Sequence, residues 1–391
     1  MEQEQGFVLS DEMRLLREQV RQIIRDEIIP IEQRLDPDAA EIPEDDYWRI
    51  ARKVQAAGLW CMGSPVEYGG GGLGTFAMCV VIEEMSQHRM GLYNPGAGVF
   101  GRIPPPVIYG GTREQIEKYA VPTLKNAWHT FYAITEPSGG SDPAGAIQCR
   151  GVRQGDSYVI NGTKIFISHA HEAEWGVLFC RTNPKAGREG VSCFIIEKGT
   201  PGFVARPIRT LRTSALPNEV QLEDCVVPAS QMLGPEGGGL SLCFDLLTKV
   251  RFPYSAGNIG VGAAALKMSI EHAKRRSTFG ELLSRRQAIQ WMLADSEVEL
   301  RAARWLTWEG AWKADRNEDV RVEASVAKLY SSEVLGRVID RAVQIHGGYG
   351  VSKELPIERW YREARIRRIG EGPSEVHRMV IARDLLRRAP G

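Results

Sequence analysis

Glu371 stands between Gly370 and Gly372, just ahead of a helical stretch at about 375–387. Glycines allow a tight turn that presents one side chain into a cleft, and a carboxylate presented that way can take a proton from a bound molecule. Alone, such a residue is an exposed turn acid; two further segments give it company. Tyr132-Ala133-Ile134-Thr135-Glu136-Pro137-Ser138-Gly139-Gly140-Ser141-Asp142 reads as a strand followed by a glycine-rich loop. Its backbone N–H groups and short hydroxyls suit a polar ligand edge or a phosphate. Arg275-Arg276-Ser277-Thr278-Phe279-Gly280 offers a cationic fork, a hydroxyl and an aromatic ring at a helix end.

Other patterns look chemical and read otherwise. Gly69-Gly70-Gly71-Gly72-Leu73-Gly74 spells G-x-G-x-x-G, but helix and loop precede it and no acid follows at about 20 residues, so it reads as a loop between helices. His169 and His171 alternate without a flanking ligand cluster, so no metal site is expected. Asn161-Gly162-Thr163 is a glycosylation sequon in spelling only, because no export signal is visible. Residues 353–368 hold six basic and three acidic side chains. Two readings stay open there: a solvated or subunit-facing helix, or a phosphate contact. No G-x-S-x-G or Walker pattern occurs.

The elements that must position these segments change period twice. Leu15, Leu16, Val20, Ile23, Ile24 and Ile28 recur at helical spacing after Ser10, a suitable N-cap, and Pro30 ends or kinks that helix. Helices are also expected near 45–57, 75–87 and 113–123. From about Phe131 to Pro228 the texture turns to short strands, with Asn161-Gly162 as a hairpin turn between Tyr158–Ile160 and Thr163–Ile167. Helical period returns after Gly237-Gly238-Gly239, near 240–277, 286–315, 320–345 and 375–387, with Gly347-Gly348 as a stop. Small residues at 257–265 predict a helix that another backbone or a flat ligand approaches closely. Trp305, Trp308 and Trp312 share one helix face and read as core or subunit interface. The expected fold is multi-domain α+β: an N-terminal helical domain (1–128), a middle β-barrel or sandwich (129–235) and a C-terminal helical bundle (236–391).

Composition bounds the rest. The 391 residues are 43% hydrophobic and 25% charged, which excludes wholesale disorder. Lys plus Arg and Asp plus Glu are 49 each, a balance that disfavours nucleic acid as partner. The longest apolar run, near Phe76–Ile82, stops at Glu83, far short of a membrane span. The acidic first residues lack secretion and transit signals, and seven scattered cysteines fit buried thiols in a reducing compartment. A cytoplasmic protein is expected.

In combination and order, these segments resemble the acyl-CoA dehydrogenase family over nearly the whole chain. Pro65–Gly70, Thr135-Glu136-Pro137, Phe166-Ile167-Ser168, Arg276–Gly280, Gln344–Gly348 and Glu371-Gly372 carry the likeness. The resemblance implies FAD bound between the β domain and the C-terminal helices. Tyr132, Ile134, Thr135, Gly140 and Ser141 match the loop around the flavin ring, and Phe166 and Ser168 the strand beside its other edge. Arg276, Thr278, Phe279, Gln287, Gln344, Gly347 and Gly348 match the set that holds the FAD diphosphate and adenine of a neighbouring subunit, implying a homodimer or homotetramer. Pro373 and Glu375 fall among the cofactor contacts; Ser141, Arg251, Gly370 and Gly372 fall among those to acyl-CoA.

Glu371 matches the catalytic base that removes the α-proton of an acyl-CoA thioester while the β-hydrogen leaves as hydride to flavin N5, giving a trans-2,3-enoyl-CoA. Burial against apolar substrate would raise its pKa toward the working pH. Some members carry the base on the helix just before Arg251; here Val250 occupies that position. An electron-transfer flavoprotein is the family's usual acceptor. Several positions depart from the pattern. Gly370 replaces a frequent aromatic, which implies a branched, cyclic or otherwise bulky acyl group. Pro373 replaces a frequent Thr and supplies neither hydroxyl nor N–H. Phe166 replaces a common Trp, and His169 a frequent Asn. A flavin oxidase or monooxygenase on the same fold, or a non-catalytic acyl-CoA-binding relative, are the alternatives. Monooxygenase relatives generally lack the glutamate.

Overall fold

The computed structural model describes residues 9–388. The chain falls into two compact units: residues up to Asp46 with Gly74–Ala97 and Arg251–Arg368, and Tyr47–Leu73 with Gly98–Val250 and the residues from Ile369 onward.

The first unit is helical. Ser10 caps the Asp11–Ile23 helix by accepting the Met13 N–H at 3.2 Å. Pro30 does not end this helix: a wide π turn at Ile24–Ile28 precedes it and helix continues through Ile29–Glu32. The enlarged turn accommodates the ring and missing N–H that would break a regular α-helix. A second such turn, Ile116–Ala120, precedes Pro122 in the other unit. Helices Thr75–Met85, Gln287–Asp315, Arg321–His346 and Pro356–Arg367 pack with the Arg251–Arg275 part of the long Gly239–Arg275 helix. The close approach expected at 257–265 occurs at Gly260, where a Cβ would lie 2.1 Å from the Glu83 carbonyl oxygen. Trp308 is buried against Phe76, whereas Trp305 and Trp312 are nearly half exposed, so the tryptophan face is only partly core.

Charge in this unit is turned inward more than the sequence suggests. Arg304 forks onto Glu83 at 2.6–3.0 Å. Within the 353–368 stretch, Pro356–Arg367 forms a helix, and part of its charge is turned inward instead of being solvated. Arg359, Glu363 and Arg367 are buried; Arg359 pairs with Glu363 at 3.1 Å, and Arg367 reaches Asn258 Oδ1 and the Tyr254 carbonyl at 2.7 Å each. Guanidinium groups satisfied at each N–H can be buried where a lone charge cannot.

The second unit is built on one eight-stranded sheet: β1 (Thr130–Ala133), β2 (Arg150–Gln154), β3 (Ser157–Ser168), β4 (Trp175–Arg181), β5 (Val191–Glu197), β6 (Phe203–Pro207), β7 (Pro217–Pro228) and β8 (Met232–Leu233). The order β6-β7-β3-β2-β4-β5-β8, with β1 parallel on β4, leaves an open sheet and not a closed barrel. Its halves pack face to face around Tyr158, Ile160, Phe194, Ile196, Val220 and Leu222. The opposite faces of β4 and β5 bury Val177, Phe179, Cys193 and Ile195 against Ile116, Tyr119, Leu240 and Cys243. Burial on both faces explains why β4 and β5 read as continuous apolar runs.

The hairpin expected at Asn161-Gly162 is not there. β3 runs unbroken through both residues, and the β2–β3 turn lies at Gly155-Asp156. Asn161-Gly162 instead marks a register shift against β7. Gly162 lies so close to Cys149 that a Cβ would come within 2.7 Å of its Cα, and Asn161 exchanges hydrogen bonds with Asp224 at 2.8 and 3.1 Å. A glycine in a strand marks a bulge or close approach as readily as a turn. All seven cysteines are buried and free.

Candidate functional site

β1 carries the chain into the 134–142 loop, and Glu136 anchors that loop from within. Its buried carboxylate accepts the N–H groups of Gln148 at 2.7 Å and Cys149 at 3.0 Å, and pairs with fully buried Lys164 at 2.7 Å. Lys164 Nζ also donates to the Ile134 carbonyl at 3.1 Å. The Thr135-Glu136-Pro137 segment therefore owes its glutamate to architecture, a role the sequence reading left unassigned. Gly140 lies against Thr135, where a Cβ would approach the threonine methyl to 2.9 Å. The Ile165 N–H donates to the Thr135 carbonyl at 2.9 Å, bringing β3 beside the loop.

β3 departs from simple alternation here. Lys164 faces inward, and a residue two positions on should do the same. A register shift between Lys164 and Ile167, with Phe166 at φ +61°, turns that ring outward, where it is 60% exposed. Two positions on, Ser168 Oγ accepts from Arg212 Nη2 at 2.6 Å. Arg212 is a neighbour of the site that no motif announced.

Glu371 belongs to the same unit. It takes φ +57° and Gly372 +94°, so the turn consists of two consecutive left-handed residues. For a residue with a Cβ this conformation costs about 1–2 kcal/mol, and such strain gathers where geometry serves function. Pro373 follows, then the Ser374–Arg388 helix, whose buried His377 donates Nε2–H to the Glu371 carbonyl at 3.1 Å. Burial raises the Tyr132 phenol well above its ordinary value. Neighbouring Cys243, Cys193 and the charge of Glu371 push the same way. Tyr132 and Glu371 thus lie within electrostatic reach of each other.

Of the remaining predicted residues, Ser141, Gly370 and Glu375 belong to the sheet unit and the others to the helical unit. Arg276, Thr278, Gly347 and Gly348 line a cleft of about 500 Å³ with His272, His346 and Tyr349. Phe279 tops the small Ser277–Leu282 hairpin, 99% exposed. Gln287 opens the Gln287–Asp315 helix, Gln344 lies in the last turn of Arg321–His346, and Arg251 lies on the long helix. The His272 and His346 rings face each other at 4.5 Å, and burial holds both below the usual imidazole range.

One cluster not read from the sequence is His129, His169 and Glu172, whose ligand-type atoms lie within 4.8 Å of one another. The His129 and His169 rings stack at 4.5 Å with only 28° between their planes. Lone pairs lie in the ring planes, so those of stacked rings run side by side instead of converging on one ion. Glu172 instead pairs with His169 Nδ1 at 2.6 Å.

Each of the two sets, taken by itself, offers what one part of FAD would need. Thr135 lies against Gly140 and its carbonyl holds the Ile165 N–H, next to the exposed Phe166 ring, a pairing of backbone and aromatic face that a flat ring could meet. Arg276 offers a cation in its cleft, as a diphosphate would require, and side chains at Gly347 and Gly348 would project into open space, meeting nothing within 4 Å. A helical and β chain of this architecture, with a carboxylate on a strained left-handed turn, is what a flavin-dependent dehydrogenase would need. Family models agree: the N-terminal domain of acyl-CoA dehydrogenases matches residues 10–126, the middle domain 132–225 and the C-terminal domain 237–386. The chain is 36% identical over 389 residues to the acryloyl-CoA reductase (NADH) of Anaerotignum propionicum, covering 98% of this chain and 96% of that one. It is 35% identical over 387 residues to the short-chain specific acyl-CoA dehydrogenase of Clostridium acetobutylicum, covering 97% and 100%. The butyryl-CoA dehydrogenase structure from Megasphaera elsdenii matches with a TM-score of 0.87 at 29% identity, over 98% of this chain and 100% of that one. The chain belongs to the acyl-CoA dehydrogenase family, FAD-dependent oxidoreductases that convert acyl-CoA to enoyl-CoA. Among the described residues, no helix is long and apolar enough to cross a membrane.

Proposed function

We propose that Glu371 is the base of this reaction, taking the α-proton of an acyl-CoA thioester and leaving a trans-2,3-enoyl-CoA. The observation that carries the reading is the left-handed turn, shared with Gly372, on which Glu371 stands in the same unit as the 134–142 loop. FAD, when bound, accepts the β-hydrogen as hydride at N5. Tyr132, Ile134, Thr135, Gly140, Ser141, Phe166 and Ser168 hold the ring, with Pro373 and Glu375 beside it. Ser141, Arg251, Gly370 and Gly372 contact the thioester. Arg276, Thr278, Phe279, Gln287, Gln344, Gly347 and Gly348 hold the diphosphate and adenine of a partner copy, which makes the working form a homodimer or homotetramer. Removing the α-proton needs a carboxylate close to Cα and N–H groups on the thioester oxygen, where enolate charge develops.

Gly370 adds no side chain beside the base, which favours a branched, cyclic or bulky acyl group. An electron-transfer flavoprotein is the proposed acceptor. One relative bears the name acryloyl-CoA reductase (NADH), the same change of bonds run in the opposite direction. The test is anaerobic flavin absorbance while straight, branched and cyclic acyl-CoAs are added to the parent and to Glu371→Gln. Bleaching of the parent by one class, with loss of at least ~10³-fold in rate in the variant, supports the base. A yellow parent that no thioester bleaches would move the reading to an oxidase, and equal bleaching of both would remove Glu371 from the chemistry.

A further inference from the structure

We infer that His377 is a positioning residue for the base, holding Glu371 in its left-handed conformation through the Glu371 carbonyl; this rests on the reading of Glu371 as base. Three observations converge. Glu371 has a Cβ yet sits at φ +57°, a conformation it would leave unless held. Its side chain and its carbonyl carbon share one Cα, so a change of φ that takes Glu371 out of the left-handed region moves both together. That carbonyl accepts Nε2–H of His377 at 3.1 Å, from a side chain with no exposure, one turn into the following helix.

Pro373 has no N–H to give, and its own carbonyl is used by Val376 and His377 at 3.0 and 3.3 Å. A carbonyl accepts, so the bond fixes the proton on Nε2 of His377. The ring is buried on the Ser374–Arg388 helix, and its bond ties the turn to that helix. A displacement of about 1 Å at a reacting group can cost ~10²-fold in rate. The sequence reading took the residues around 371 as contacts and passed over His377, because it lies inside a helix at a position that periodicity alone would give to packing.

The test compares His377→Leu, His377→Asn, His377→Gln and Glu371→Gln. Leu keeps the volume and removes the donor. Asn keeps a donor but falls short by one bond, about 1.5 Å. Gln places an amide N–H at nearly the reach of the ring. The readout is deuterium entry at Cα in D2O of the 3-thia analogue of whichever acyl-CoA bleaches the parent best. Sulfur at the β position carries no hydride, so exchange reports proton removal alone. Flavin content, thermal midpoint and KM are measured alongside.

Expected is exchange 10- to 100-fold slower in the Leu and Asn variants, with KM within about threefold of the parent, and recovery to within about threefold in the Gln variant. Parental exchange in Leu or Asn, or equal loss in Asn and Gln, overturns the positioning role and leaves the base intact. Parental exchange in Glu371→Gln overturns the base itself. Should the Leu variant fail to fold, the Asn and Gln pair decides the matter.

Discussion

Replacing Lys164 with Met measures how much of the flavin surface hangs on a buried ion pair. Met fills most of the space of the lysine stem and removes its charge. Glu136 would keep its two backbone donors but lose its cation, and the Ile134 carbonyl would lose the ammonium. Removing one partner of a buried pair costs about 3–5 kcal/mol, mostly the penalty of an uncompensated charge. At ~2.1 cal/mol/K of unfolding entropy per residue over 391 residues, a loss of ~4 kcal/mol lowers the thermal midpoint by ~5 °C. FAD retention should fall with it, because Thr135 and Gly140 ride on the same loop. Adding Glu136→Gln to Lys164→Met removes the stranded charge and should restore ~1–2 kcal/mol, a coupling visible in a double-mutant cycle. Arg113→Ala, which breaks an exposed pair with Glu117, is the control and should leave the midpoint unmoved. Calorimetry together with flavin absorbance after gel filtration gives both quantities. A Lys164→Met protein that unfolds within 1 °C of the parent and stays yellow would refute the argument that this pair anchors the loop.

Arg276→Ala should weaken FAD retention by about 10- to 100-fold, the worth of a charged hydrogen bond, and unchanged flavin content after dilution would remove Arg276 from the cofactor site. Gly370→Tyr should cost bulky acyl-CoAs far more than straight-chain ones in kcat/KM, and equal losses would sink the claim of a wide pocket. Burial pushes the Glu32 carboxyl up, but His88 and the Arg89 and Met90 amides outweigh it and hold it below its ordinary value. A depressed folded pKa gives stability that is present above the unfolded value of about 4.3 and lost as pH falls through the folded one. The gap in thermal midpoint between parent and Glu32→Gln should therefore be widest at pH 6 and shrink toward pH 3. A constant gap would mean that the carboxylate charge is not what stabilises the contact.

Helix existence was legible because long apolar periods are local: the stretches read at 286–315 and 320–345 are helices at Gln287–Asp315 and Arg321–His346. The misses share a cause. Asn161-Gly162 carries a turn signature, but the strand it sits in gains more from pairing with β7 than a turn would offer, and glycine also serves a bulge. Residues 353–368 look like a solvated face because charge count says nothing of Arg367 finding Asn258, over a hundred residues away. In the site, the left-handed Glu371 is hinted at by its glycine neighbours. Arg212 on Ser168 and Lys164 on Glu136 depend on pairings between distant segments, and no local pattern encodes them.

The seven buried thiols make the protein its own clock of local opening. A thiolate is the form that alkylates, and burial pushes the thiols of Cys61 and Cys149 up to about 12 and that of Cys225 to about 11. The folded chain should take up no label, so each added mass counts an excursion that bared one site. Cys79 alone stands in the helical unit, while Cys61, Cys149, Cys180, Cys193, Cys225 and Cys243 stand in the sheet unit. The order in which labels accumulate therefore tells whether the two units let go together or one at a time.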